Sequence, residues 1–97
     1  MNHPTNIGLI ECEIPEKSFV QRSASLPRNL QVRKAFAFHE GAKTALRKRF
    51  PELELTADCE AILQDETIGL VLISAPSVNH RSMIGAALRA NKQVQIV

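Results

Sequence analysis

Five short apolar runs alternate with stretches patterned as helices, and no other feature of the chain limits its fold so tightly. The most telling run is Leu70-Val71-Leu72-Ile73, which is apolar without alternation. A strand covered on one face alternates apolar and polar residues. A continuous run suits a strand covered on both faces, as in the middle of a parallel sheet. Parallel neighbours need a crossover, usually a helix. The order β-α-β-α-β-α-β-α-β therefore predicts an α/β fold, a doubly wound parallel sheet of about five strands with right-handed crossovers and helices on both faces.

The elements follow from local pattern. Asn6–Ile10 reads as the first strand. Pro15 suits the first turn of a helix, which is expected from Lys17 to about Leu26 with Phe19, Val20, Ser23 and Ala24 on one face, and Pro27 stops it. Leu30, Val32, Lys34 and Phe36 alternate with Gln31, Arg33 and Ala35, and Phe38 extends the run, so a second strand is expected there, half buried or near an edge. Glu40–Arg49 is patterned as a helix with Ala42, Ala45 and Leu46 inward. Leu53–Leu55 is a short third strand, and Thr56 or Asp58 can cap a helix through Ala61, Ile62 and Leu63. After the fourth strand, Ser77 or Asn79 can cap a helix whose inward stripe is Met83, Ile84, Ala87 and Leu88. Val94, Ile96 and Val97 form the fifth strand.

At 97 residues the chain has room for one domain, taken as residues 1–97 with residues 1–5 expected to be flexible. Four Phe without Trp or Tyr argue against a base-stacking surface, and a net charge of +2 is too small to call for a polyanionic partner. The basic run Arg47-Lys48-Arg49 closes a helix, where cations favour the dipole. Nucleic acid and membrane are therefore not expected as partners. Cys12 and Cys59 make neither a disulfide framework nor a CxxC pair. The N-terminus has no basic region leading into an apolar stretch, and Leu70–Ile73 is too short to cross a bilayer. A reducing, cytoplasmic compartment is expected.

From about Gly41 to Val97 the sequence resembles the N-terminal half of the Gfo/Idh/MocA oxidoreductases, NAD(P)-dependent sugar and polyol dehydrogenases. Ala42–Pro51 is similar to the family's second helix. Ala61-Ile-Leu-Gln-Asp-Glu-Thr-Ile68 resembles its "LL-x-D-x-x-I" segment. Val71-Leu-Ile-Ser-Ala-Pro76 with His80 resembles its "V-I-x-T-P-x-x-x-H" turn, and Ala86–Val94 resembles "A-A-L-x-A-G-K-H-V". The resemblance implies a Rossmann-like domain, NAD or NADP as cofactor, and a cleft lined by Glu11, Cys12, Glu13, Ser74, Ala75, Pro76 and His80.

The chemistry of such a cleft is missing. A dinucleotide site needs glycines after the first strand, for the tight turn, for backbone contact with the pyrophosphate and for close helix packing. Here Glu11, Glu13 and Glu16 hold all three positions of that spacing. A side chain at Glu13 is expected to fill the pyrophosphate space, and three carboxylates oppose an anionic ligand. The acidic residue that ends the second strand and holds a ribose has no counterpart in Ala35-Phe-Ala-Phe-His39; Glu40 more naturally begins the next helix. The resemblance places the family's catalytic lysine in an "E-K-P" after the fifth strand; none is expected in this chain, so no catalytic residue is assigned, and the cofactor is expected to be weakly bound or lost.

For His80, a polar residue in the first turn of a helix is preferred to a leftover cofactor contact. His39 is read as a solvated loop residue and His3 as part of a disordered end. Cys12 is read as a small apolar filler rather than a reactive thiol, and Cys59 as a core residue. Glu11, Glu13 and Glu16 read as a solvated acidic rim more readily than as a divalent-cation site, and no metal site is assigned. The leading reading is a domain related to an oxidoreductase, as a fragment, subunit or degenerate relative. The alternatives are a non-catalytic interaction or oligomerisation module and a regulator sensing a mononucleotide at the Ala75-Pro76-Ser77 turn. The open edge of the fifth strand points to a homo-oligomer or a partner subunit, with two copies paired in parallel or antiparallel fashion.

Overall fold

The computed structural model describes residues 5–22, 30–74, 77 and 80–97. The chain runs β1 (Thr5–Glu11), a 3-10 turn (Pro15–Lys17), α1 (Phe19–Arg22), β2 (Leu30–Ala37), α2 (Glu40–Arg49), β3 (Glu54–Leu55), α3 (Glu60–Leu63), β4 (Leu70–Ser74), α4 (Arg81–Arg89) and β5 (Gln93–Ile96). The five strands form one sheet in the order β3-β2-β1-β4-β5, and every neighbouring pair is parallel. This is the doubly wound arrangement that the strand pattern implies. No helix among the described residues is long and apolar enough to cross a membrane.

Each face of the sheet has its own apolar layer. Ile7, Leu9, Val32 and Leu72 pack with Phe19 of α1 and with Ala42 and Leu46 of α2. Ile10, Val71 and Ile73 pack on the other face with Ile62 and Leu63 of α3 and Ala87 of α4. Val71, Leu72 and Ile73 are all buried although they alternate between the faces, which is why β4 carries no polar residue until Ser74.

Gly8 answers to a close approach. A Cβ there would overlap Ile62 Cγ2, so the absent side chain lets α3 settle onto β1. At the end of α4, Asn91 adopts φ 63°, the left-handed conformation Asn tolerates better than most residues. The N–H groups of Asn91 and Lys92 then bond back to the carbonyls of Leu88 (3.1 Å) and Ala87 (3.1 Å) and close the helix.

Several elements differ from the pattern reading. β2 is an interior strand, not an edge, because β3 pairs with it on one side and β1 on the other. Its alternation also changes phase: Ile7 opposes Val32 but Gly8 opposes Lys34, so Arg33 is an extra residue. Beyond this bulge Ala35 and Ala37 take the buried positions on the α1–α2 face, while Lys34 and Phe36 turn to the other. Phe38 lies past the strand and is exposed. Leu88, expected inward, is 58% exposed, because only Ala87 of α4 sits fully against the sheet. Of the long first helix, the described part is a 3-10 turn at Pro15–Lys17 followed by α1 from Phe19; its expected end, with Ser23, Ala24, Leu26 and Pro27, lies outside the described residues, as do His3 and Asn79. Before α3 it is Asp58 that accepts from a helix N–H, that of Ala61 (3.2 Å), whereas Thr56 donates to the carbonyls of Asp58 (2.8 Å) and Ala35 (3.3 Å).

The edge of the sheet where the strands begin is held by charge. Lys34 Nζ lies 3.0 Å from Asp65, and Lys92 Nζ donates to the carbonyls of Asp65 (2.7 Å) and Ile68 (2.6 Å). Hydrogen bonds from the Thr67 hydroxyl and N–H, and then Lys34, hold the Asp65 carboxyl down at about 2 from its ordinary 3.8. A depressed carboxyl stabilises the fold above its unfolded value and loses that contribution as it is protonated. The stability difference between the wild-type chain and Asp65→Asn is therefore largest at neutral pH and shrinks as pH falls from about 4 to about 2, measured by urea unfolding across that range. Gly8→Ala forces overpacking against Ile62 and lowers stability by about 1–3 kcal/mol in the same assay.

Candidate functional site

Connections leave β1 toward β2 on one side, while β4 lies on the other, so the strand order reverses at β1. In open parallel sheets the crevice above such a reversal is where ligands bind. Its floor is the end of β1, where Glu11 stands level with Ala37 of β2 and Ser74 of β4. The Phe38 N–H donates to the Glu11 carbonyl (3.1 Å) and the Cys12 N–H to the Ser74 carbonyl (3.2 Å), which ties the three strand ends together.

Glu11 dominates this crevice. It has no exposed surface, and its carboxylate folds back over the loop that follows it. One oxygen accepts from the Phe19 N–H (2.6 Å) and the other from the Glu13 N–H (3.1 Å). These are charge-assisted bonds to backbone N–H groups of the loop and of the start of α1, the kind of donor that a bound phosphate also seeks. The chain thus supplies an anion of its own at the start of α1, and this bond marks where the helix begins. Ser18, next to Phe19, is also buried, and its Oγ has no hydrogen-bond partner among the described residues.

The three glutamates do not act alike. From the sequence all three carboxylates read as a solvated acidic rim. Instead Glu11 is buried, Glu13 is half-buried with its carboxylate 3.2 Å from the Ile14 N–H, and Glu16 is exposed on the 3-10 turn. Burial selects Glu11 because it is the last residue of a central strand, whereas Glu13 and Glu16 lie in the surface loop. No group of three or more His, Cys, Asp or Glu side chains among the described residues is placed to hold a metal ion.

Cys12 is buried, and burial, followed by the charge of Glu11, pushes its thiol up to about 12. Burial, with Asp58 and Glu60, pushes Cys59 up to about 11, and its Sγ lies 3.6 Å from Met83 Sδ. Neither thiol is a thiolate at neutral pH, which fits the packing roles read from the sequence. Ser74 is fully buried at the end of β4. Ala75 and Pro76 lie outside the described residues.

His80 holds the residue position just before α4 and makes no side-chain cap bond to that helix. Its Nδ1 accepts from the Ser77 N–H (2.9 Å) and lies 3.0 Å from Ser77 Oγ. Its ring meets Phe38, with centroids 4.7 Å apart, and Phe38 in turn meets Phe36 edge-on at 4.9 Å. An aromatic contact therefore joins the ends of β2 and β4 across the mouth of β1. From its alternation Phe38 reads as strand, whereas it stands one residue past β2. The only signal was its position, one residue past β2, where a ribose-binding acid would stand. Glu40, the other candidate acid, begins α2 and pairs with Lys43 at 2.8 Å, which lowers its carboxyl below the ordinary 4.5. His39 is exposed, as its loop reading implies.

No family model and no curated protein matches the sequence. Solved structures do match the fold. The myo-inositol dehydrogenase of Lactobacillus casei, solved with NAD(H) and myo-inositol, superposes with a TM-score of 0.75 at 20% identity over 96% of this chain and 28% of its own. KijD10, a 3-ketoreductase of Actinomadura kijaniata solved with NADP and TDP-benzene, gives 0.74 at 22% identity over 97% of this chain and 29% of its own. The oxidoreductase candidate yvaA of Bacillus subtilis gives 0.78 at 20% identity over 99% and 27%. The fold is the Rossmann-type fold of these oxidoreductases. They are of the kind the sequence resemblance names, and the chain spans less than a third of the length of each of the three.

In this Rossmann-type domain the residues present do not fit a dinucleotide pyrophosphate, because the Glu11 carboxylate already takes the backbone donors. Its loss leaves two N–H groups unmet. Glu11→Ala lowers stability by about 1.5–3 kcal/mol, whereas Glu16→Ala at the exposed turn changes it by less than about 0.5 kcal/mol, both read from urea midpoints.

Proposed function

We propose that this chain is a nucleotide-type domain of Gfo/Idh/MocA oxidoreductase descent that has lost tight dinucleotide binding and has no dehydrogenase activity of its own, acting within a larger protein or assembly. The buried Glu11 carboxylate carries the reading. A phosphate brought to about 4 Å from it meets a repulsion of about 4 kcal/mol at the effective dielectric of a partly shielded cleft. The attraction of a helix end, about 0.3–1 kcal/mol for an exposed charge, does not offset that. The ribose side supports the same reading, since Phe38 stands where an acid would hold the hydroxyls and its ring is engaged by His80. The likeness to enzymes solved with NAD(H) and NADP makes a nicotinamide cofactor the ligand to test.

Calorimetric titration with NAD and NADP is expected to give dissociation constants of millimolar or weaker, and assays with sugars and polyols no cofactor reduction that depends on this chain. A dissociation constant of a few micromolar for the wild-type chain overturns the proposal. Replacing Glu11, Glu13 and Glu16 together by Gly improves binding at least tenfold, with Glu11→Gly supplying most of the gain.

A further inference from the structure

The described sheet ends at β5, and the outer side of that strand is built to match itself. The Gln93 N–H donates to the Gly69 carbonyl (2.8 Å) and the Val97 N–H to the Ile73 carbonyl (3.0 Å), so the odd-numbered residues of this stretch bond toward β4. In a parallel ladder the N–H and C=O of one residue point to the same side, and those of its neighbours point to the other. Val94 and Ile96 therefore direct both their backbone groups away from the sheet.

We propose that two copies of this chain associate through antiparallel β5–β5 pairing about a dyad at Gln95. In that register Val94 of one copy opposes Ile96 of the other, and the reverse. Each pair exchanges two backbone hydrogen bonds, so all four outward N–H and C=O groups of each strand are matched. A dyad at Val94 or at Ile96 matches only one of these residues within the strand. Because side chains alternate, Val94 and Ile96 share the face that carries α4, and Val94 packs there against the buried cluster. The pairing gathers two valines and two isoleucines on that face and leaves Gln93 and Gln95 on the other.

Three observations favour a second copy as the occupant. Gln93–Ile96 carries no charge, so two copies meet without repulsion, and the strand has neither the lysines nor the proline that blunt natural edges. The opposite edge, β3, has exposed Glu54 with exposed Glu52 close before it, and self-pairing there would oppose like charges. The most exposed large apolar side chains among the described residues are Leu88 (58%) and Ile96 (52%), and both belong to this flank, on α4 and β5. Pairing covers Ile96. A four-residue strand buries less than the roughly 1,600 Å² of a standard stable interface, so the dimer is weak and in exchange with monomer.

Sedimentation velocity from about 10 to 500 µM tests association, and cysteine cross-linking tests the register. The wild-type chain is expected to pass from monomer to dimer over that range, with Ile96→Lys raising the dissociation constant at least tenfold. The Cα atoms of the two Gln95 residues stand about 4.5 Å apart in a non-hydrogen-bonded antiparallel pair. Gln95→Cys therefore forms an intermolecular disulfide under mild oxidation, with the wild-type chain as blank. In Gln93→Cys the two thiols are four residues out of register and do not join. Both cysteine variants change an exposed glutamine, so the register test survives even if Ile96→Lys perturbs folding. A wild-type monomer at 500 µM, or cross-linking of Gln93→Cys as efficient as that of Gln95→Cys, overturns the proposal.

Discussion

The carboxylate of Glu11 organises one end of this molecule. A charged group without exposed surface is tolerated only when its oxygens are met by donors, and here each oxygen has one, the N–H of Phe19 and that of Glu13. The same two bonds draw the loop from Cys12 to Ser18 over the end of β1 and start α1 at Phe19, whose ring then enters the core. In a dinucleotide-binding domain a glycine-rich loop leaves such donors open for a phosphate. Here a side chain accepts from two such donors from within.

The two ends of the sheet are stabilised by different means. Where the strands begin, Lys34, Asp65 and Lys92 join β2, the loop before β4 and the start of β5. Where the strands end, above β1, a single buried carboxylate and the contact between Phe38 and His80 span the strand tips. The crevice at the strand-order reversal lies at this second end, and Glu11 and Phe38 both stand there. The framework below it, with Gly8 admitting Ile62 and Asn91 closing α4, answers to packing alone.

Much of the fold could be read along the chain because its periodicities are local. Leu70–Ile73 identifies a strand covered on both faces, Glu40–Arg49 shows a helical stripe ending in three cations, and the parallel sheet follows from their alternation. The bulge at Arg33 was not legible, since Leu30 to Phe36 alternates regularly and only the pairing with β1 shows where a residue is skipped. For the same reason the pattern alone reads β2 as half buried or near an edge, and Phe38 as a strand residue rather than one past the strand's end.

The sequence by itself determined the α/β class, most of the element order and the presence of glutamates at all three positions of a G-x-G-x-x-G spacing, because these depend on residue identity and spacing. Only the tertiary structure decided which glutamate matters. Burial belongs to position in the sheet: Glu11 ends a central strand and must find its partners inside, while Glu16, five residues on, stays in water. It also brought Phe38 and His80, 42 residues apart in the chain, into ring contact, since parallel strands place their C-terminal ends at one edge whatever the distance between them in sequence.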